Sequence, residues 1–304
     1  MVNFMLKNVL LITNPVAGKG HGEKYAQKLK NVIEDYHQSK VEIKITEEEF
    51  DATKWSKNAT KDGFDTVICL GGDGTVSETV NGIIEAQDKP VFGFVPMGTV
   101  NDLGRALGYK MNPEKAIEDF KTVSIDKLDV GKVNDRVFIN VIALGPIAEQ
   151  VMTTDSDDKN RFGVLAYVRD GMKAFFTDKG YEVRVTASDG TTTEIKTNLL
   201  FVGLTNSIGG VEFMIPGANY NDGKGYLSAI KGHTPINTIR AGLEVGLSNI
   251  DADNIFRLSD TKFKIESINN ESITTNVDGD NGQELPLEIE ILSQAIDVLI
   301  TGES

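Results

Sequence analysis

In the stretch VICLGGDGTVSETVNG, residues 67 to 82, an apolar run ends in Gly71, Gly72 and Gly74 wrapped around Asp73. A phosphate approaches a backbone closely only where side chains are absent, and three glycines meet that need. Asp73 repels a bare phosphate, so its carboxylate makes sense with Mg²⁺ or a metal–water network lying between them. Thr75 can donate its hydroxyl to a phosphate or cap the helix that follows. Gly-Gly-Asp-Gly is also an ordinary tight turn before a helix, and this stretch alone leaves both readings open. Two further stretches share its chemistry. NPVAGKG (14–20) sets Ala17, Gly18 and Gly20 around Lys19, and PMGTVND (96–102) supplies Gly98, Thr99 and Asp102.

These residues need elements to hold them, and the hydrophobic pattern supplies candidates. NVLLIT (8–13), VEIKIT (41–46), TVICL (66–70) and PVFGFVPMGT (90–99) read as strands. Between them, Tyr25, Leu29, Val32, Ile33 and Tyr36 recur at helical spacing, as do Ala52, Trp55 and Ala59, then Val76, Val80, Ile83 and Ile84. Two short helical segments follow, at 101–107 and 113–121. Strand–helix alternation predicts a parallel sheet with helices on both faces. Ligands bind such sheets at the carboxyl ends of the strands, where helix N-termini present unpaired N–H groups. All three glycine-bearing turns fall on that edge.

The rhythm changes near residue 123, and the boundary falls near residue 126. SIDKLDVGKVNDRVFINVIALG reads as two strands joined at VNDR. YEVRVTASDGTTTEIKTNLLFVGL reads as a hairpin around Asp-Gly. YLSAIKG, TKFKIESI, ITTNV and LPLEIEIL follow, with helical segments at 161–176 and 235–247. The second half is thus mainly antiparallel β. The domains are set at 1–126 and 127–293, with AIDVLITG in 294–304 able to return to the first.

The chain has 304 residues, 40% hydrophobic and 25% charged, with net charge −14 and a single cysteine, Cys69. A net anion repels phosphate backbones, so a nucleic-acid binder is not expected. One cysteine allows no internal disulfide and fits a reducing cytosol; in its apolar strand Cys69 reads as an inert buried thiol. MVNFMLKNVLLITNP lacks a charged leader before a cleavable apolar core, and no apolar run approaches the ~20 residues of a spanning helix, so a soluble protein is expected. Gly-x-x-x-x-Gly-Lys-Ser/Thr is absent, and Gly-x-Gly-x-x-Gly does not follow the first strand, which speaks against P-loop enzymes and nicotinamide dehydrogenases.

NPVAGKG, GGDGTVSETVNG and PMGTVNDLGRALG, in this order and spacing, resemble the bacterial soluble diacylglycerol kinases and their lipid-kinase relatives. GGDGT alone also fits NAD kinases and phosphofructokinases; its pairing with GTVNDLGR is specific. The likeness runs on through LDVGKVNDRVFIN, YNDGKGYL and NVDGD. It implies a Rossmann-like domain followed by a β-sandwich-like one, with ATP in the cleft between them. The implied reaction is phosphoryl transfer from ATP to the hydroxyl of diacylglycerol, giving phosphatidic acid. It also implies a cytoplasmic protein that meets its lipid at the membrane surface, and a homodimer.

By the same resemblance, the nucleotide phosphates meet Asn14, Pro15, Val16, Ala17 and Gly18, then Gly71, Gly72, Asp73, Gly74, Thr75, Val76 and Ser77, and Thr99. Thr46 matches a nucleotide-contacting position. Asp73, Asp102 and Asp129 match aspartates that organise Mg²⁺ and water. Asn219, Asp222 and Lys224 match a structural Mg²⁺ site, the first and last through backbone carbonyls. Asp280 stands where the family places a catalytic glutamate, one methylene shorter, which changes its reach by ~1.5 Å. Ser77 stands where asparagine is common. A free alcohol is a poor nucleophile, so Asp280 is expected to accept the lipid's proton with a free carboxylate, while Asp278 forms the turn. Other readings within reach are a kinase for another lipid alcohol and a nucleotide-binding regulator with impaired catalysis.

The remaining clusters have plainer readings. DGDNGQE lacks the glycine placement and helical flanks of an EF-hand, and TDSDDKN (154–160) reads as a solvated loop. His21, His37 and His233 have no serine or cysteine partner motif and read as surface residues; Lys19 faces phosphate or solvent. RFGVLAYVRDGMKAFF (161–176) is apolar around much of a helical turn and carries Arg161, Arg169 and Lys173, with Lys179 nearby. It reads as a core helix with a basic face or as a lip of the lipid cleft that touches the bilayer.

Overall fold

A computed structural model describes residues 6–144, 180–208, 215, 217–231 and 254–302. The segments at 154–160, 161–176 and 235–247, with His233 and Lys179, lie outside the described residues. The chain forms two compact units, Met1–Leu128 with Gln294–Ser304, and Asp129–Ser293.

In the first unit, strands β1 (Asn8–Thr13), β2 (Lys40–Ile45), β3 (Thr66–Gly71) and β4 (Val91–Pro96) run parallel. Their order is β4-β3-β1-β2, with the end of the long β15 (Leu287–Thr301) beside β4, where Val298 pairs with Phe92. Every residue of β3 and β4 is buried, as befits strands covered on both faces. Helix α2 (Gly22–His37) buries Ala26, Leu29 and Ile33, one stripe at helical spacing, into a core with Leu11, Ile68, Val95 and Leu299. Helix α6 (Pro113–Asp119) adds Ala116 and Ile117 to that core; the Asn112 side chain caps it by accepting from Lys115 N at 3.1 Å. Helices α3 (Asp51–Asn58) and α4 (Asp73–Glu85) cross closely at Gly82, where a Cβ would stand 2.1 Å from Ser56 Oγ.

The second unit is antiparallel. β8 (Tyr181–Ala187), β9 (Thr192–Gly203), β10 (Gly225–Lys231) and β11 (Ile255–Asp260) pair in succession, and β12 (Lys262–Ser267) pairs with β8 and with the start of β15. Opposite β10, the end of β9 pairs with β7 (Val141–Leu144), and β13 (Thr275–Val277) and β14 (Asp280–Asn281) follow in turn. Val183, Ile195, Leu200, Phe263, Ile265 and Leu287 are among the residues that fill its core.

Three elements differ from expectation. The stretch 123–144 forms three strands rather than two: β5 (Val123–Val133), β6 (Arg136–Phe138) and β7, because Ile139 and Asn140 break the run. The strand β11 is absent from the sequence reading, although Phe256, Arg257, Leu258 and Ser259 alternate apolar and polar. LPLEIEIL and AIDVLITG join in one strand, β15, which carries the polar pair Ser293 and Gln294 through a left-handed φ of 50° at Gln294. Among the described residues no helix is long and apolar enough to cross a membrane.

Candidate functional site

The three glycine-bearing turns meet at the carboxyl edge of the parallel sheet and are bonded to one another. Asn14 N–H donates to Leu70 O at 3.1 Å, Met97 N–H to Gly71 O at 2.8 Å, and Gly18 N–H to Met97 O at 3.3 Å. The first turn, α1 (Ala17–Gly20), is a single loop: Asn14 Oδ1 accepts from Val16 N at 3.1 Å, and Gly18 and Lys19 take left-handed φ of 59° and 62°. The glycines at β3 and β4 answer to steric demand. A Cβ on Gly98 would stand 2.7 Å from Gly72 Cα, and one on Gly71 would stand 2.4 Å from the Thr75 side chain. Gly74 is different. Among the described residues nothing lies within 4 Å of where its Cβ would be, which leaves open space above the first turn of α4. The leading N–H groups of that helix have no intrahelical acceptor, and its N-cap, Gly72, offers no side chain to take them.

Asp73 and Asp102 come together here. Asp73 Oδ2 accepts from Asn101 N at 2.9 Å and Oδ1 from Asp102 N at 3.1 Å. Sequence reasoning committed Asp73 to metal and water; its carboxylate is first a tie between the second and third turns. Burial pushes its pKa above the usual carboxylate range, the neighbouring Asp102 charge adds to this, and the two N–H donors oppose it. Asn101, unmarked by the sequence reading, is the centre of the third turn. It sits at φ 55°, accepts from Gly98 N through Oδ1 at 2.9 Å and donates from Nδ2 to Gly98 O at 2.9 Å. Its signal was the Asn-Asp pair in GTVND.

The other expected phosphate contacts divide. Thr99 and Val16 are exposed, Val16 at 75%. Val76 turns its side chain into the core and its N–H to Gly72 O at 3.1 Å, and Ser77 is buried, accepting from Asn81 through its carbonyl at 2.8 Å. Both are thus occupied within α4. Thr46, just past β2, donates its N–H to Thr13 O at 3.0 Å. Pro15 lies in the first turn between Asn14 and Val16. Cys69 is buried in β3, and burial raises its pKa to about 12, so it is inert.

Asp129 and Asp280 belong to the second unit. Asp129 is buried; Oδ2 accepts from Gly223 N at 2.6 Å and its N–H donates to Tyr220 O at 2.7 Å. It therefore holds the loop that carries Asn219, Asp222 and Lys224. Asp222 accepts from Lys224 N at 3.0 Å and from the Tyr226 hydroxyl, which also reaches Gly217 O at 3.2 Å. Burial raises the Tyr226 pKa, and the Asp222 bond and the charges of Asp222 and Asp129 reinforce it. One carboxylate with nearby backbone carbonyls is an all-oxygen donor set of the kind a hard cation takes, and each Asp222 oxygen keeps a second lone pair. Among the described residues no group of three or more His, Cys, Asp or Glu gathers around a common point.

The hairpin β13–β14 presents Asp280. Val277 pairs with Asp280 across a two-residue turn, with Asp278 at φ 51° and Gly279 at φ 97°, as a type I′ turn requires. Asp278 forms the turn and does more: its carboxylate accepts from the N–H groups of Ile139 (2.7 Å), Asn140 (2.9 Å) and Val141 (2.9 Å). The free carboxylate expected at Asp280 is corrected. Its Oδ2 pairs with the Arg136 guanidinium at 2.7 Å, and the same side chain reaches Val277 O and Asn281 O on the hairpin's two strands.

The family model of the diacylglycerol kinase catalytic domain matches residues 8–133. The chain is similar to a diacylglycerol kinase of Staphylococcus carnosus (strain TM300), 34% identical over 299 residues that cover 97% of this chain and 95% of the relative. A diacylglycerol kinase of Staphylococcus aureus (strain bovine RF122 / ET3-1) is 33% identical over 310 residues, 98% of this chain and 94% of its own. Among solved structures, a diacylglycerol kinase from Bacillus anthracis str. Sterne matches with a TM-score of 0.82 at 27% identity, over 99% of each chain.

Proposed function

Because the chain belongs to the diacylglycerol kinase family, a family of lipid kinases, we propose that it transfers the γ-phosphoryl group of ATP to the hydroxyl of diacylglycerol, giving phosphatidic acid. The observation that carries the reading is the open space above Gly74, at the mouth of three turns locked to one another by backbone bonds. Phosphoryl transfer needs positioning and charge stabilisation more than covalent chemistry, and fixed N–H donors supply both.

The nucleotide is assigned to the first unit. The N–H groups at the start of α4 receive phosphate oxygens. Asp73 and Asp102 would hold Mg²⁺, which supplies neutralisation of charge on the transferring phosphate. Asp222, with the carbonyls of Asn219 and Lys224, would hold a second Mg²⁺ of structural role. The acceptor oxygen attacks the γ-phosphorus, the bond to the bridging β–γ oxygen breaks, and ADP leaves. The hydroxyl proton passes to the Asp280 carboxylate, whose Oδ1 has no hydrogen bond among the described residues. The lipid meets the enzyme from a bilayer surface, since its acyl chains do not leave it freely.

Labelled ATP offered with diacylglycerol, a sphingoid base and NAD in mixed micelles tests the assignment. Labelled phosphatidic acid is expected; its absence overturns the substrate, and label on either competitor names a different acceptor. Asp280→Asn is expected to slow turnover by ~10²–10⁴ with ATP affinity kept. Turnover within about threefold of wild type, far short of that range, places the base elsewhere.

A further inference from the structure

We propose that Arg136 is a positioning residue for this reaction: it fixes the rotamer of Asp280 so that one carboxylate oxygen is held and the other is presented to the acceptor hydroxyl. The inference rests on Asp280 as the proton acceptor.

The turn that carries Asp280 is secured from two sides. Asp278 pins it to the start of β7 through three backbone N–H groups. The Arg136 fork spans both strands below the turn, donating to Val277 O at 3.5 Å and Asn281 O at 3.0 Å as well as to Asp280 Oδ2 at 2.7 Å. Arg136 itself stands on a fixed base. Two residues before it, Asn134 donates its N–H to Glu288 O at 2.8 Å and accepts from Glu288 N through Oδ1 at 2.9 Å. Backbone and guanidinium are thus rigid before substrate arrives.

The Asp280 side chain has little else to hold it. It is 67% exposed, on a two-residue strand, and makes no other hydrogen bond among the described residues. Without Arg136 it would sample several rotamers, and an aspartate, one methylene shorter than glutamate, has less reach with which to compensate. Arg136 binds Oδ2 alone, so Oδ1 stays open for the proton. An isolated exposed ion pair contributes little to stability. The value of this one lies in orientation, because a misplacement of ~1 Å at a reacting group costs up to ~10² in rate. A planar fork with several donors can span three acceptors at once; an ammonium is a single point.

The test is a double-mutant cycle with diacylglycerol in mixed micelles, across wild type, Arg136→Gln, Asp280→Asn and the double variant, with Arg136→Lys as the conservative change. Arg136→Gln is expected to lower kcat by about tenfold, inside the range a misplaced group costs, with the KM for ATP unchanged. Arg136→Lys should recover part of the loss. In the Asp280→Asn background Arg136→Gln should add nothing, because both act through one carboxylate. Equal losses in both backgrounds would mean a structural role and overturn the proposal. So would an unchanged or faster Arg136→Gln enzyme, the latter marking the pair as a brake. If Asp280→Asn is crippled and Arg136→Gln is not, only this inference falls. If Asp280→Asn is itself near wild type, the proton-acceptor assignment falls and this inference with it. Should Arg136→Gln fail to fold, Arg136→Lys carries the comparison alone: a kcat equal to wild type then refutes it.

Discussion

A single methyl group at residue 98 is expected to unlock the phosphate edge. In Gly98→Ala the new Cβ would lie 2.7 Å from Gly72 Cα and 2.8 Å from Asn101 Oδ1. Neither neighbour is a flexible tip: one is backbone, and the other is held by Gly98 N–H itself. Restoring a normal carbon separation of ~3.5 Å moves the third turn by roughly 1 Å. Overpacking of this kind costs ~1–3 kcal/mol. The two Asn101–Gly98 bonds are weakened by the same movement, each worth ~1 kcal/mol. A total of roughly 2–4 kcal/mol lowers Tm by about 5–15 °C for a unit of this size. Gly74→Ala is the partner experiment. Its Cβ meets nothing within 4 Å among the described residues, and alanine favours the helix by ~1 kcal/mol, so Tm should hold or rise. If a phosphate uses that space, ATP affinity should nevertheless fall by at least ~tenfold, equivalent to ~1.4 kcal/mol. Thermal unfolding by circular dichroism and ATP titration by calorimetry read the two effects separately. A Gly98→Ala Tm within about 1 °C of wild type would refute the packing argument, since ~2 kcal/mol must show as several degrees. Gly74→Ala binding ATP as wild type does would remove the phosphate from that turn.

Three other expectations follow from the same contacts. Asp73 has a folded-state pKa above its ordinary 3.8, so its proton stabilises the fold; that term is complete below pH 3.8 and lost as pH rises through the elevated value. The Tm of wild type relative to Asp73→Asn should therefore decline as pH is raised from below 3.8, and a pH-independent difference would contradict the burial argument. Asp222→Ala removes the acceptor for Lys224 N and the Tyr226 hydroxyl; Tm should drop and lose any response to Mg²⁺, whereas a Mg²⁺ response equal to wild type would rule out the site. Asp278→Ala strips acceptors from three N–H groups, each bond to a charged group being worth ~1.5–3 kcal/mol, so urea unfolding should report a loss of at least ~3 kcal/mol, and a loss below ~1 kcal/mol would mean the turn holds without it.

The parallel half was legible because its strands are continuous apolar runs and its helices carry one buried stripe. β3 is buried at every position, and α2 buries Ala26, Leu29 and Ile33 in register. The glycine turns were legible as turns, and of the three glycines around Asp73 close approach accounts for Gly71 and Gly72. What stayed hidden are contacts made across the chain. Arg136 meets Asp280 over 144 positions and Asp278 meets Ile139 over 139, and no local pattern announces either pair. Asn101 escaped notice because a left-handed asparagine at a helix cap looks, in sequence, like any loop residue. The division of β15 into two strands was an error of a different sort: Ser293 and Gln294 carry turn-like polarity, yet the strand runs on through them with Gln294 at a left-handed φ of 50°.

The membership of β15 also sets an order of events. Ile296, Val298 and Leu299 are buried in the first unit, and Leu299 O accepts the Tyr109 hydroxyl. Those residues leave the ribosome after the entire second unit has emerged. The parallel sheet can gather early around β1, β3 and β4, but its strand beside β4 arrives last, when the second unit is already free to fold. Until then the outer edge of β4 is open, with Phe92 and Phe94 near it. Loss of the final ten residues would accordingly damage the N-terminal unit, far away in sequence, more than the β-rich one beside it.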